Sequence, residues 1–393
     1  MHMMNRIYLD HAATTPLSPA VLEKMLPWWT ERYGNSSSVH GTGREARRAV
    51  DQARRQVAEA IGAQPREIYF TSGGTESDNW ALTGTALALR GRGNHIITTS
   101  VEHHAVLRPC EWLETQGFRV TYLPVDGDGR VDPEEAERAV TDQTILLSVM
   151  TANNEVGTVQ PVAVLGEMAR RRGILFHTDA VQAAGTLPLD VNALGVDFLS
   201  LSAHKFYGPK GVGVLYVRQG TRLNPLIRGG EQERGLRAGT ENVAGIVGLG
   251  EALRLALEGR EAEEAKIRGL RDRLIRAVLE RIPGSRLNGH PTERLPGNCN
   301  FSFDGVEGEA LLLRLDLAGI AASGGSACTA GSQEPSHVLR AMGRTETEAA
   351  GSLRLTLGRE NTAREIDETA ETLAAIVQDL RRLRGDTGFT GRA

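Results

Sequence analysis

The sequence predicts an α/β fold with a mostly parallel central sheet and a smaller C-terminal α+β domain. Between about residues 44 and 217, short apolar segments of strand length alternate with amphipathic segments of helix length, as in a parallel sheet covered by helices. A long helical stretch over about 240–282 is followed by a break rich in Pro and Gly. We therefore predict a large domain over residues 15–260 and a small domain formed by 1–14 and 261–393.

Each predicted strand is a short apolar run, and each predicted helix has apolar residues at helical spacing. In the large domain the strands are EIYF, HIITTS, TILLSVM, ILFHTD, VDFLSLS and GVGVLYV, and the helices include REARRAVDQARRQVAEAIG and ESDNWALTGTALALRGRG. In the small domain, NCNFSFDGV and SLRLTLG have strand patterns, and NTAREIDETAETLAAIVQDLRRL has a helical pattern. With EGEALLLRLDLAGI, these segments predict the α+β character of the small domain.

The composition excludes several classes of protein. Of 393 residues, 45 are Lys or Arg and 49 are Asp or Glu, so the net charge is −4 and nucleic-acid binding through bulk positive charge is not expected. No run of about 18 uncharged apolar residues is present, so no membrane span is expected. The first residues, MHMMNRIYLDHAATT, lack the apolar core of a secretion signal. We expect a cytoplasmic protein.

Cysteine usage argues against a disulfide scaffold and a structural zinc site. The chain has three cysteines, with no CxxC pair and no histidine cluster at metal-ligand spacing. Cys110 follows Pro109 on a predicted helix and Cys299 lies in a predicted strand, so both are interpreted as small buried residues. Cys328 lies in SGGSACTAGS, a run of small residues that predicts an exposed loop and a thiol that can act as a nucleophile.

Two predicted strand ends carry side chains suited to binding a cofactor. Lys205 follows VDFLSLS at the strand end where α/β sheets bind ligands, and its amine could form an imine with an aldehyde cofactor. Asp179 ends ILFHTD and could hold a protonated pyridine nitrogen, while Gln182 could donate to a ring oxygen. Ser202 and His204 add donors suited to a phosphate. The alternatives are a surface lysine and a helix-capping aspartate.

Further segments supply groups that such a site needs. FTSGGTESDNWAL predicts a strand, a glycine turn and a helix start, so that Gly74 and Thr75 form part of an anion cradle. His103 could stack on the cofactor ring and transfer protons; we prefer it to His104, and a solvent-exposed histidine at a helix start is the alternative. Asn154 ends another strand, where its amide could bind the phenolic oxygen of the cofactor or the substrate.

Arg354 alternates with apolar residues in the predicted strand SLRLTLG. A guanidinium that faces inward from a strand needs an anion, and a substrate carboxylate held in a bidentate fork is one such partner. A structural salt bridge is the alternative.

In this order, the segments resemble the cysteine desulfurases, members of the fold-type I, class V aminotransferase-like pyridoxal phosphate enzymes. The resemblance implies a seven-stranded, mostly parallel sheet in the large domain and a catalytic loop in the small domain. The long segment around Cys328 resembles that of the nitrogen-fixation and housekeeping desulfurases. The matching segments cover nearly the whole chain: YLDHAATTPLSP, GNSSSVHGTG, FTSGGTESDN, EHHAVL, NNEVGTVQP, HTDAVQAAG, SAHKFYGPKGVG, GGEQERGLRAGTEN, SGGSACTAGSQEPSHVLRAMG and SLRLTLGREN.

The resemblance implies a role for each site residue. Lys205 would hold the cofactor covalently, and His103 would stack on its ring and transfer protons. Cys328 would accept sulfur as a persulfide and could also be a transient iron–sulfur cluster ligand. The other implied assignments are Asp179 to the pyridine nitrogen, Gln182 and Asn154 to the phenolic oxygen, Gly74, Thr75, Ser202 and His204 to the phosphate together with Thr240 from the second subunit of a homodimer, and Asn35 and Arg354 to the cysteine carboxylate.

The implied reaction removes sulfur from L-cysteine, releases L-alanine and passes the Cys328 persulfide to acceptors such as an iron–sulfur scaffold protein. Selenocysteine lyase or cysteine sulfinate desulfinase is the alternative, because such an enzyme would share the cofactor site and depend little on Cys328. A plain aminotransferase would not need Cys328, and a non-catalytic scaffold would not need Lys205 or Asp179. Gly325 stands where the family commonly has serine, which predicts a looser chain before Cys328.

Overall fold

A computed structural model describes residues 6–325 and 335–385 of the chain. Its strands are β1 (Ile7–Tyr8), β2 (Ile68–Thr71), β3 (His95–Thr99), β4 (Arg119–Leu123), β5 (Thr144–Ser148), β6 (Leu175–Asp179), β7 (Phe198–Ser202), β8 (Gly213–Val217), β9 (Ser285–Asn288), β10 (Asn298–Phe303), β11 (Ile320–Ala321) and β12 (Ser352–Thr356). Its helices are α1 (Pro19–Met25), α2 (Pro27–Thr30), α3 (Gly41–Ala60), α4 (Gly74–Asn79), α5 (Thr85–Leu89), α6 (His104–Thr115), α7 (Pro133–Ala139), α8 (Val162–Arg172), α9 (Val191–Leu194), α10 (Val243–Glu258), α11 (Arg260–Arg281), α12 (Gly308–Leu317), α13 (His337–Ala341), α14 (Glu346–Ala350) and α15 (Ala363–Leu383).

The central sheet is mostly parallel, as predicted. Within the described residues it has seven strands in the order β2-β8-β7-β6-β5-β3-β4. The neighbours from β7 to β4 run parallel, whereas β8 runs antiparallel to both β7 and β2. We did not predict β4, because this edge strand is largely exposed or half-buried and shows no apolar run. The parallel strands bring their carboxyl ends to one edge of the sheet.

Helices cover both faces of this sheet. On one face α10 packs against α3, and Leu249 of α10 shares a core with Leu147 of β5. On the other face, Trp80 and Val106 share a core with Leu146. Leu146 and Leu147 face opposite sides because side chains alternate along a strand. Among the described residues, no helix has both the length and the apolar character needed to cross a membrane.

Two predicted helices are interrupted in the structure. The helical stretch predicted over 240–282 is two helices, α10 and α11, because the backbone leaves the helical region at Gly259 (φ −111°, ψ 5°). The helix predicted at ESDNWALTGTALALRGRG begins at Gly74 and passes through a π-helical turn, Trp80–Gly84, between α4 and α5. Its first residues therefore follow the end of β2 directly.

The smaller part of the fold has its own core. Strands β12, β10 and β9 form an antiparallel sheet, and β1 pairs in parallel with β11. Helices α11 and α15 contribute Leu274 and Leu373 to a core that also holds Phe301 and Leu355 of the sheet. Leu9, from the beginning of the chain, joins the same core. The division of the domains near residues 15 and 260 stays a prediction.

Candidate active site

A cavity of about 360 Å³ lies at the carboxyl edge of the central sheet. Its walls come from the segments that follow β2, β3, β5, β6 and β7, with Ala12 and Ala13 from the N-terminal segment and Arg354 from β12. Most of the predicted site residues meet there. Those that line it are Gly74, Thr75, His103, Asn154, Asp179, Gln182, Ser202, His204, Lys205 and Arg354.

Lys205 reaches the cavity from a 3₁₀ turn, Ala203–Lys205, that follows β7 without a break. Its Nζ donates hydrogen bonds to the carbonyl oxygens of Ala12 and Ala13, the latter at 2.8 Å. The side chain is half-buried and lines the cavity. This position does not fit the alternative of a lysine that covers the outer surface.

Asp179, the last residue of β6, is a buried carboxyl group on the cavity wall. Its Oδ1 accepts the backbone N–H of Val181 at 2.9 Å. Burial, and then the neighbouring Asp78, raise the pKa of Asp179 to about 7. A cation placed beside this carboxyl group would lower its pKa again, so the site favours a positively charged partner.

Asp78 and His177 form a second buried polar pair next to Asp179. His177 Nε2 lies 3.4 Å from Asp78 Oδ1 and 3.1 Å from Ser200 Oγ, and its Nδ1 contacts Ser148 Oγ at 2.8 Å. Burial lowers the pKa of His177 to about 4 and raises that of Asp78 to about 7. Between about pH 4 and pH 7 the contact therefore joins two groups that are both largely uncharged, rather than an ion pair.

His103 caps the N-terminus of α6 and lines the cavity. Its Nδ1 accepts the backbone N–H of Ala105 at 3.1 Å. Burial lowers the pKa of His103 to about 4, with a smaller contribution from the Lys205 ammonium. The ring of His104 instead lies 4.8 Å from the ring of His337, and His104 is not among the residues that line the cavity. This geometry agrees with the preference for His103.

We predict that His103 of the cofactor-free protein titrates near pH 4 in an NMR titration of histidine ring protons. Its imidazole is then neutral above about pH 4, whereas an ordinary histidine stays protonated up to about pH 6.5. The variant Lys205→Met should raise the apparent pKa, because it removes a positive charge near the ring. The variant His103→Gln identifies the resonance. A midpoint near 6.5 would contradict the burial of this ring.

The turn between β2 and α4 forms one end of the cavity. Gly73 has a φ of +153°, a conformation that favours glycine, and it precedes the helix start at Gly74. A Cβ on Gly74 would lie 2.7 Å from Val181 Cγ2, so the backbone approaches the turn after β6 closely. Backbone N–H groups in the first helical turn have no acceptor within the helix, so this end is suited to an anion.

Ser202 and His204 lie beside that turn, at the end of β7. Ser202 is buried and lines the cavity, and its Oγ is the nearest group to a Cβ built on Gly73, at 3.7 Å. His204 Nδ1 lies 3.1 Å from Thr14 Oγ1, which fixes the ring orientation. Burial lowers the pKa of His204 to about 4, so its imidazole is neutral at pH 7. Together these side chains add neutral hydrogen-bonding groups to the anion end.

Arg354 faces inward from β12, as predicted, and its side chain is only 2% exposed. Its Nη1 donates to the carbonyl oxygen of Asn154 at 2.9 Å, and its Nη2 donates to Asp10 Oδ1 at 3.0 Å. Its buried Nε has no hydrogen-bond partner among the described residues. The structural salt bridge considered as an alternative is therefore present, and the guanidinium also lines the cavity.

Of the remaining predicted residues, Asn35 and Thr240 do not line this cavity. Asn35 is exposed, and its Oδ1 accepts the backbone N–H of Ser37 at 2.8 Å. Thr240 lines a separate cavity of about 170 Å³. Gln182 lines the main cavity, but its Nε2 donates to the carbonyl oxygen of Ala12 at 3.1 Å. Cys328 lies outside the described residues.

The other two cysteines are buried, as predicted. Cys110 and Cys299 are each 0% exposed. Burial raises the pKa of each thiol to about 12. Because the thiolate is the nucleophilic form, neither is suited to covalent chemistry at neutral pH.

Comparison with known proteins identifies the family. The sequence model of the aminotransferase class-V family matches residues 7–369. Cysteine desulfurase IscS of Methanosarcina thermophila is 55% identical, with 96% of this chain and 93% of that protein covered. Cysteine desulfurase IscS of Dictyoglomus turgidum is 53% identical, with 97% of each covered. The chain belongs to the cysteine desulfurases of the class-V aminotransferase family.

Solved structures agree with this membership. A NifS-like protein is 40% identical with a TM-score of 0.90, covering 95% of this chain and all of that one. SspA in complex with cysteine is 39% identical with a TM-score of 0.80, covering 91% of this chain and all of that one. These similarities confirm the predicted family and the α/β fold of this cysteine desulfurase.

Sequence reasoning missed Asp78 of this cysteine desulfurase, which lines the cavity. No local signal marks it, because Asp78 follows the glycine turn as one of several polar residues at the start of the predicted helix ESDNWALTGTALALRGRG, and its burial beside His177 depends on the tertiary fold. Sequence reasoning also missed the carbonyl oxygens of Ala12 and Ala13 that accept from Lys205. No local pattern marks these carbonyls, since their role depends on a contact across more than 190 positions of the chain.

Proposed function

We propose that this enzyme binds pyridoxal phosphate in the cavity and removes sulfur from L-cysteine, giving L-alanine and a persulfide on Cys328. The observation that carries the proposal is the convergence of an amine, a buried carboxyl group and a neutral imidazole, Lys205, Asp179 and His103, on one cavity. A lysine amine can attach an aldehyde, and a buried carboxylate can hold a protonated ring nitrogen. The names of the relatives support the activity.

The residues around the cavity fit this cofactor. The turn after β2 is a backbone cradle too narrow for a side chain, since a Cβ on Gly74 would lie 2.7 Å from Val181 Cγ2, and such a cradle suits a phosphate. The helix start at Gly74 and the side chains of Thr75, Ser202 and His204 would hold the phosphate. Gln182 and Asn154 would face the phenolic oxygen, and Asp179 the ring nitrogen.

When bound, the cofactor supplies an electron sink that withdraws electron density from the substrate. The protein supplies the proton transfers. Lys205 Nζ, which would hold the cofactor, would also act as a base on the same wall as Asp179. His103 is neutral at pH 7 because burial lowers its pKa, so it can accept a proton rather than only donate one. Asp179, as a carboxylate, would balance the positive charge of a protonated ring nitrogen.

Cys328 would be the sulfur acceptor. Its thiolate attacks the substrate sulfur, the carbon–sulfur bond breaks, and the electron pair of that bond stays with the carbon, which is then protonated to give L-alanine. The sulfur remains on Cys328 as a persulfide. The exclusion of the buried Cys110 and Cys299 supports this assignment.

Arg354 would bind the substrate carboxylate. We predict that Arg354→Met raises the KM for L-cysteine at least about 30-fold, since losing one partner of a buried charged pair costs about 2 kcal/mol or more. The measurement is steady-state kinetics with cofactor absorbance as a check on loading. Asp10→Asn, which removes the salt-bridge partner but keeps the guanidinium, is the control. Equal effects of the two variants would favour the structural salt bridge instead.

Partners of this enzyme are also part of the proposal. Asn35 and Thr240 lie away from the cavity of their own chain, which supports a homodimer in which Thr240 reaches the phosphate of the second subunit and Asn35 completes a substrate site. Relatives named IscS support transfer of the persulfide sulfur to acceptor proteins such as an iron–sulfur scaffold. Cys328 would then also be a transient cluster ligand.

The test of this function is a product assay with three substrates. Purified holoenzyme is mixed with a reducing thiol and with L-cysteine, L-selenocysteine or L-cysteine sulfinate, and the alanine and the released sulfide, selenide or sulfite are quantified. We expect equal yields of alanine and sulfide from L-cysteine, and their loss in Cys328→Ala with intact cofactor absorbance. Full turnover of L-cysteine by that variant would favour a selenocysteine lyase or cysteine sulfinate desulfinase.

A further inference from the structure

Glu155 lies where the two ends of the segment 326–334 come together. On one side, Ser336 Oγ donates a hydrogen bond to Glu155 Oε2. On the other, a Cβ built on Gly325 would lie 2.8 Å from Glu155 Oε2 and 2.7 Å from Ser336 Cβ. Gly325, Glu155 and Ser336 are therefore in mutual contact. The missing side chain of Gly325 permits this close packing, and the expectation that Gly325 loosens the chain before Cys328 stays a prediction.

Glu155 is itself firmly held by the surrounding backbone and amides. Its side chain is buried, and its backbone N–H donates to Asn153 Oδ1 at 2.9 Å. Its carbonyl oxygen accepts from Asn298 Nδ2 at 3.2 Å and from Asn300 Nδ2 at 3.1 Å. The preceding residue, Asn154, lines the cavity. Glu155 is therefore joined directly to a residue of the cavity wall, although it does not line the cavity itself.

The chain that leaves the segment is tied to the same wall. Ser336 Oγ accepts the N–H of Leu339 at 3.2 Å as the cap of α13, so its own proton is directed to Glu155. His337 Nε2 lies 3.0 Å from the carbonyl oxygen of Glu102, which precedes His103. Leu339 packs with Val101 and other residues in a small core.

The chain that enters the segment is tied to Arg354. The N–H of Ser323 donates to the carbonyl oxygen of Arg354 at 3.2 Å, and the N–H of Arg354 donates to that of Ser323 at 2.7 Å. Gly325 lies two residues further on, against Glu155. Both ends of the segment are thus fixed relative to residues that line the cavity.

We propose that Glu155 is a positioning residue that holds the entry and exit of the Cys328 segment together beside the cavity, so that the thiol meets the substrate sulfur. This inference rests on the proposed function, in which Cys328 is the acceptor. Glu155 would act through Ser336 and Gly325 and would not touch the reacting atoms. Its carboxyl group would matter for sulfur transfer and not for binding of the cofactor or of the amino acid.

Two pairs of variants separate this role from a general structural one. Gly325→Ala places a methyl group too close to both Glu155 and Ser336, so this contact must shift, whereas Gly324→Ala adds the same methyl group where the nearest atom, Leu312 Cδ1, is 3.7 Å away. Ser336→Ala removes the donor to Glu155 together with a helix cap. Thr345→Ala removes a comparable cap, that of α14, without a contact to Glu155.

The holoenzyme variants are compared by two readouts. The first is the change of cofactor absorbance on titration with L-alanine, which reports binding and proton transfer without a thiol. The second is the single-turnover rate of persulfide formation from L-cysteine. For Gly325→Ala and Ser336→Ala we expect an unchanged L-alanine titration and a rate that falls about 10- to 100-fold, as expected for a reacting group displaced by about 1 Å. The two controls should keep the wild-type rate.

Substitution of Glu155 completes the test. Glu155→Gln keeps an acceptor oxygen for Ser336 and should retain most of the rate, whereas Glu155→Met keeps the length without an acceptor and should lose as much as Ser336→Ala. The inference is overturned if Gly325→Ala and Ser336→Ala match their controls, or if they weaken the L-alanine titration as much as the rate. Absence of a Cys328 persulfide in the wild type would instead overturn the proposed function, so the two failures are distinguishable.

Discussion

Lys205→Ala is expected to lower the rate of alanine formation from L-cysteine by at least about 10²–10⁴-fold, the range lost with a positioned proton-transfer group. The amine lies on the cavity wall with two backbone carbonyls, of Ala12 and Ala13, as acceptors. In the proposed mechanism the same nitrogen attaches the cofactor and later moves a proton. Loss of the side chain removes both functions, so cofactor retention during gel filtration should also fall.

Lys210 supplies a matched control for this prediction. It lies five positions further along the same segment and is exposed, so Lys210→Ala removes an equal charge from the chain without opening the cavity. We expect near wild-type turnover and cofactor absorbance for that variant. If Lys205→Ala kept turnover comparable to Lys210→Ala, Lys205 would have no part in the chemistry.

Asp179→Asn is expected to lower turnover by about 30-fold or more, because losing one partner of a buried charged pair costs about 2 kcal/mol or more. Asparagine keeps the shape and the contact to the N–H of Val181 but cannot carry the charge that balances a protonated ring nitrogen. The effect should appear in kcat and in cofactor affinity, measured by turnover and by titration of the cofactor-free protein with pyridoxal phosphate.

The raised pKa of Asp179 predicts the direction in which cofactor affinity changes with pH. The pKa of Asp179 is raised to about 7 in the cofactor-free protein, so the carboxyl group is increasingly protonated as the pH falls through 7. Cofactor affinity should therefore decrease as the pH falls through 7 in the wild type, and this component should be absent in Asp179→Asn. Asp197→Asn, at the other end of β7, is the control. The same pH dependence in Asp179→Asn would contradict the assignment.

The sequence predicts most of this site because parallel strands place their carboxyl ends at one edge. Asp179 and Ser202 end neighbouring strands, so their proximity follows from the fold class alone. Lys205 follows in the next turn. Residues that act through distant contacts are different. Asp78 and Glu155 have no local signature, because their roles depend on which groups the tertiary fold buries beside them.

The contacts of Gly325 and Arg354 also could not be predicted from the sequence. Gly325 is recognisable from the sequence as a residue without a side chain, but only the folded chain shows that Ser336 and Glu155 occupy the space where a side chain would lie. Arg354 faces inward as its alternation in β12 predicts, but only the folded chain shows that Asp10, more than 340 positions earlier, shares its guanidinium. The alternation of apolar and polar residues predicts which way a side chain faces, whereas the groups it contacts depend on tertiary packing.

The central claim is that sulfur passes from L-cysteine to Cys328, and single-turnover mass spectrometry tests it most directly. Holoenzyme is mixed with an equimolar amount of L-cysteine without a reducing thiol, and the peptides that contain each cysteine are analysed. We predict that the Cys328 peptide alone gains the mass of one sulfur atom, with a matching yield of L-alanine, and that Cys328→Ser forms neither product. Wild-type amounts of L-alanine from that variant, or sulfur on Cys110 or Cys299, would contradict the account.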